Sequence, residues 1–231
     1  MSEKLCHEFN TIKSEHLKPG VNPIMTCIGT YADFFDDFKQ ISALNTIFND
    51  GKSSFVDYNA EANIQKEKQI KNAGDDTYAI SKVDERNKFS NEYYDCTGLI
   101  VIGRDKTTNK EISLLTHQDP KKILVGNIHD YFVKDLRESL LEIKNQSEEG
   151  TIDAIIIGGN SSGRYSSSLD LIDKIVQDIF LFKPVIVGDK KNYPGWGYNG
   201  DKLFLETQNR RAYLIRPTSN DIGKNFIHSK N

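Results

Sequence analysis

The chain has 231 residues, 37% hydrophobic and 27% charged, long enough to bury a core without disulfides or metals. Thirty basic against 33 acidic side chains leave a net charge of −3, and no long basic run is present to follow a phosphate backbone, so nucleic acid is not an expected partner. No apolar run approaches the ~20 residues of a membrane span, and the polar start MSEKLCHEFN lacks a signal-peptide core. A cytoplasmic protein without a membrane partner is therefore expected, although a specialised secretion route would escape this test.

Residues 1–75 read as a helical or irregular extension packed on the same domain, and 76–231 as the core. Asp33 can cap a helix whose Phe34, Phe35, Phe38, Ile41, Leu44 and Phe48 form one stripe, with Asp50-Gly51 as its stop. Glu61 to Ala73 is rich in Lys, Gln and Asn, and reads either as a solvated helix or as a mobile loop. From Thr77 the texture changes. TYAISKV, GLIVIG and EISLLTH read as strands, and YFVKDLRESLLEIK puts Phe132, Val133, Leu136, Leu140 and Ile143 on one helical face. DAIIIGG reads as a buried strand ended by Gly158 and Gly159. SSSLDLIDKIVQDIF gives a second amphipathic helix, capped by Ser167 or Ser168. KPVIVGD, KLFLET and RAYLIRP follow as strands, the last two joined by a polar turn around Gln208 and Asn209. The expected fold class is α/β (α+β), a layered sandwich with mixed, largely antiparallel sheets flanked by helices. Neither GxGxxG nor GxxxxGK[ST] is present.

YYDCTGLIVIGRDKTTNKEISLLTHQDP, residues 93–120, opens one strand with Cys96 and closes the next with His117. Opposed residues of an antiparallel pair have numbers of constant sum. A sum of 213 sets Cys96 against His117, Leu99 against Leu114, Val101 against Ile112 and Arg104 against Asn109, leaving Asp105 to Thr108 as the loop. That register places Gly98, Ile100, Ser113 and Leu115 on the face of Cys96 and His117, and Leu99, Val101, Ile112 and Leu114 on the other. A thiol is only partly ionised near neutrality, and an adjacent imidazole can take its proton and return it to a departing nitrogen. Backbone N–H groups around Cys96 are the natural oxyanion donors. The same pattern also describes an ordinary buried thiol beside a strand-end histidine.

Taken in order, the Cys-strand-turn-strand-His unit CTGLIVIGRDKTTNKEISLLTHQD, a helix, DAIIIGGN, a second helix and a final hairpin resemble the papain-unrelated cysteine amidohydrolases. This superfamily includes CheD glutamine deamidases, the catalytic domain of cytotoxic necrotizing factor and protein N-terminal asparagine amidohydrolases. The resemblance spans about residues 77–216. It implies hydrolysis of a Gln or Asn carboxamide of a protein or peptide substrate, with Cys96 as nucleophile, His117 as base, and Ser90, Asp119 or a backbone carbonyl orienting the imidazole. It also implies substrate contact at Gly158 and Gly159, and no cofactor or metal. LLTHQD is closer to the asparagine amidohydrolases. Asp95 stands where CheD and the toxin domains carry Gly or Ser, and should point outward, because a carboxylate aimed inward would raise the thiol pKa. Glu92, Asp95 and Asp119 are all available to capture a substrate amine. The alternatives are a protein N-terminal asparagine amidohydrolase, or a non-catalytic binding module on the same fold.

Other candidates carry less. Cys6 and His7 are adjacent in the polar start, and Cys27 in IMTCIGTY reads as core. The three cysteines make neither a CxxC pair nor a zinc spacing with the five histidines, so reduced thiols are expected. His129 reads as a surface or capping residue, and His16 and His228 carry no signal. Trp196, in the turn-rich YPGWGYNG, reads either as a pocket wall or as the anchor of its own loop.

Overall fold

A computed structural model describes residues 15–30, 53–55, 78–93, 96–158, 166–187 and 201–216. In chain order they form β1 (Met25–Thr30), β2 (Ser53–Phe55), β3 (Tyr78–Ile80), β4 (Asn87–Tyr93), β5 (Thr97–Arg104), β6 (Glu111–Gln118), α1 (Gly126–Gln146), β7 (Asp153–Gly158), α2 (Ser166–Phe180), β8 (Val185–Val187), β9 (Asp201–Glu206) and β10 (Arg211–Arg216). One sheet has the order β3-β6-β5-β7-β8 and the other β1-β10-β9-β4-β2. Pairings are antiparallel except β1 with β10, β2 with β4 and β7 with β8. This is the layered α+β arrangement that the sequence predicts.

The apolar residues of β5, β6 and β7 divide by parity between two cores. Leu99, Val101, Leu114 and Ile156 pack on the helices, together with Phe132, Leu136, Leu140 and Ile143 of α1 and Ile172, Val176 and Ile179 of α2. Cys96, Ile100, Ile102, Leu115, Ile155 and Ile157 point the other way, against Leu203, Leu205, Ala212 and Leu214 of the second sheet. Each of these large aliphatic side chains contributes roughly 1.5–3 kcal/mol on burial, so the double core fixes which face every strand presents. Helix α2 begins at Ser166, with Ser168 buried inside it, so neither Ser167 nor Ser168 is its cap.

Polar groups close the end of the sandwich remote from the start of β5. Arg210 donates from Nη1 to Glu111 Oε2 (2.9 Å) and from Nη2 to the Thr151 carbonyl (2.8 Å), and Arg104 Nη2 donates to Glu111 Oε1 (3.0 Å). Asp153 Oδ2 accepts the Ile24 N–H at 2.7 Å, while Oδ1 lies 3.3 Å from Nε2 of His16, whose ring stacks on Phe182. His16 thus has a structural place that its polar neighbourhood did not advertise. Cys27 is buried in β1, as a core residue should be. It is disulfide-bonded, whereas the Cys96 thiol is not in a disulfide. That corrects the expectation of reduced thiols, because sequence spacing carries no information on which cysteines meet in space.

Strands β1, β2 and β4 have no counterpart among the strands read from sequence. The predicted Phe34–Phe48 helix, the 61–73 segment, Cys6, His7 and His228 lie outside the described residues.

Candidate active site

His117, the last but one residue of β6, is fully buried between two strands that offer it almost no side chain. Ala79 of β3 is directly opposite on one side. On the other, β5 pairs Thr97 with Gln118, Ile100 with Leu115, Val101 with Leu114 and Arg104 with Glu111. The pairing sum is therefore 215 rather than 213, which sets Gly98 level with His117 and Cys96 diagonally across from it. Because the shift is two residues, every side chain keeps its face. Cys96 stays on the His117 side, at a diagonal distance of ~7–8 Å between Cα atoms. Cys96 is 9% exposed.

The new register moves the loop by one residue without lengthening it. Asp105 N–H donates to the Lys110 carbonyl, and the carboxylate of Asp105 accepts the N–H groups of Thr107 and Thr108. Asn109 takes the left-handed conformation (φ 58°) that closes the turn, one of the few non-glycine types that adopts it readily.

The third group comes from the facing sheet. Ser90 of β4 pairs with Leu203 of β9 and is fully buried, and its Oγ lies 2.9 Å from His117 Nδ1. The β4–β9 register slips by one residue between Ser90 and Tyr93, a bulge of the kind that re-aims side chains at a site. The rival Asp119 is engaged elsewhere: its Oδ1 accepts the N–H groups of Lys121 (2.8 Å) and Lys122 (3.3 Å). His129 lies in the first turns of α1, where its Nδ1–H donates to the Ile123 carbonyl at 3.1 Å.

Electrostatics follow from burial. Desolvation lowers the His117 pKa from 6.5 to about 3, so the imidazole is neutral near pH 7. If Ser90 Oγ accepts Nδ1–H, the lone pair sits on Nε2 and the ring can take up a proton there. Two residues before Ser90 on the same strand face, the fully buried Lys88 is ion-paired with Asp84. Arg86 and Lys88 together hold the Asp84 carboxyl below its ordinary range, against the opposing effect of burial.

Gly158 ends β7 directly opposite Thr97, the residue after Cys96, with φ at 73°. It thus lies at the mouth of the same three strands, where a side chain would be strained. Gly159, Trp196 and Asp95 lie outside the described residues, as does the side chain of Glu92. Sequence reasoning missed Thr97 and Gln118. Both are fully buried on the reverse face of the hairpin, and Gln118 Nε2 donates to Thr97 Oγ1 at 3.0 Å. The alternation that put Cys96 and His117 together would also have paired these two, had the register been known.

Among the described residues no group of His, Cys, Asp and Glu side chains could hold a metal ion, and no helix is long and apolar enough to cross a membrane. No protein-family model matches the chain, and no curated protein matches it either.

Proposed function

We propose that the protein is a cysteine amidohydrolase that deamidates Gln or Asn residues of a protein or peptide, with Cys96 as nucleophile, His117 as general base and acid, and Ser90 orienting the imidazole. The observation that carries this reading is the 2.9 Å approach of Ser90 Oγ to His117 Nδ1 across the sandwich, on the face that Cys96 shares. A polar pair bridging two apolar layers has a desolvation cost; orientation of a working imidazole is a reason to retain it.

The chemistry balances with the groups at hand. With Nδ1–H donated to Ser90 Oγ, Nε2 accepts the Cys96 proton as sulfur attacks the carboxamide carbon. Backbone N–H groups at the start of β5 are the donors for the oxyanion. The imidazolium returns its proton to the amide nitrogen, the C–N bond breaks and ammonia leaves. Water, deprotonated by Nε2, then attacks the thioester, and the carboxylic acid departs as the thiol is restored. An amine in place of water would give transamidation. His117 is neutral at rest, so Nε2 is available to take the Cys96 proton as sulfur attacks an electrophile.

Limiting iodoacetamide near neutral pH tests the pair. Cys96 should be alkylated and His117→Ala should slow it, the disulfide keeping Cys27 out of the reaction. Equal labelling with and without the imidazole would instead favour a non-catalytic binding module on this fold.

A further inference from the structure

Hydrophobic patterning cannot choose between the two registers of the β5–β6 hairpin. Sums of 213 and 215 bury the same side chains on the same faces and leave loops of equal length. They differ in how Cys96 stands to His117: directly opposite in the first, diagonal in the second. Something other than the apolar pattern must select the offset.

Two side-chain ties accompany the observed offset, one at each end. Arg104 meets Glu111 through Nε and Nη2 at the loop end, at 3.1 and 3.0 Å. Gln118 Nε2 meets Thr97 Oγ1 at the site end. With a sum of 213, Thr97 would face Thr116 and Gln118 would face Asp95, and the second tie would no longer join directly opposed residues. The site-end tie joins the residue after the nucleophile to the residue after the base, on the opposite face of the sheet. Gln118 is fully buried, and its Oε1 has no hydrogen-bond partner among the described residues. A buried carboxamide with one bond unmade is a poor way to fill space, since an apolar side chain of similar volume avoids that penalty.

We propose that Thr97 and Gln118 are positioning residues, whose buried hydrogen bond behind the hairpin holds Cys96 and His117 at the offset that lets thiol and imidazole exchange a proton. This rests on the Cys96–His117 reading. The pair touches neither substrate nor the reacting atoms and acts only through its chain neighbours.

The test is a double-mutant cycle read by Cys96 alkylation with iodoacetamide, mapped by peptide mass, with Thr97→Val as the isosteric break and Thr97→Ser as the conservative rescue. Thr97→Val should slow labelling about tenfold, the order of effect expected from sub-ångström misplacement. Thr97→Ser should stay within about twofold of the native rate, and Thr97→Val should add nothing in a His117→Ala background. Loosened packing alone would change the rate equally in both backgrounds, and that result, or a native rate for Thr97→Val, overturns the proposal. If His117→Ala labels as fast as the native chain, the catalytic reading itself fails and the clamp falls with it; a slow His117→Ala beside an unaffected Thr97→Val removes the clamp alone.

Discussion

Lowering the pH from 8 to 5 should destabilise the native chain more than a His117→Asn variant, because the folded protein holds His117 neutral while the unfolded chain does not. The folded pKa is depressed from 6.5 to about 3 by burial. The unfolded state therefore binds the extra proton throughout this window, and stability rises with pH across it. The contribution is fully present above 6.5 and is lost progressively as pH falls toward 3. At pH 5 the unfolded imidazole is about 97% protonated and the folded one almost wholly neutral, which amounts to about 2 kcal/mol relative to pH 8. Asn keeps an amide within reach of Ser90 and does not titrate in this range. Carboxylates held low in the folded state, such as Asp84, contribute above their unfolded pKa of ~3.9 and leave the window undisturbed. Urea unfolding at pH 8 and pH 5, followed by tryptophan fluorescence, reads the difference. With an m-value of about 2 kcal/mol per molar, the native midpoint should fall about 1 M further than the variant's. Equal shifts for the two proteins would refute the burial of a neutral imidazole at position 117.

Ser90→Ala should leave His117 Nδ1 without its hydroxyl partner, costing about 1–3 kcal/mol in urea unfolding and slowing Cys96 alkylation; Ser90→Thr should recover part of the rate. Glu111→Ala removes the acceptor shared by Arg104 and Arg210. Since Arg210 is buried, an uncompensated guanidinium there should cost about 3–5 kcal/mol, seen as a large fall in Tm, whereas Arg210→Met in the same background should recover much of it.

The parts of this fold legible in the sequence are those where the apolar period has one meaning. GLIVIG, EISLLTH and DAIIIG are buried on both faces, and the α1 stripe from Phe132 to Ile143 falls at helical spacing, so strands and helix were readable. Strand β4 was not. Its sequence NKFSNEY turns Lys88 and Ser90 toward the sandwich interior and Phe89 to the other face, all three buried. That inverts the usual rule that the polar positions of a strand face water. The inversion is itself the site's signature, because the inward polar residues are the imidazole's partner and the Lys88–Asp84 pair. Ser90 was reached only through a family resemblance. The hairpin illustrates a different limit. Alternation fixes the face of Cys96 and His117 but is blind to a shift of two, and the deciding contacts, Thr97 with Gln118 and Arg104 with Glu111, involve side chains that no apolar pattern marks.

The central claim is that Cys96, with His117 and Ser90, hydrolyses a carboxamide. Its most direct test is intact-mass analysis of Gln- and Asn-containing proteins and peptides incubated with the native chain or with Cys96→Ser. Conversion of amide to acid adds about one dalton per site through the thioester route. The account predicts that gain with the native chain and none with Cys96→Ser; a gain of equal size with both, or with neither across a broad peptide set, would contradict it.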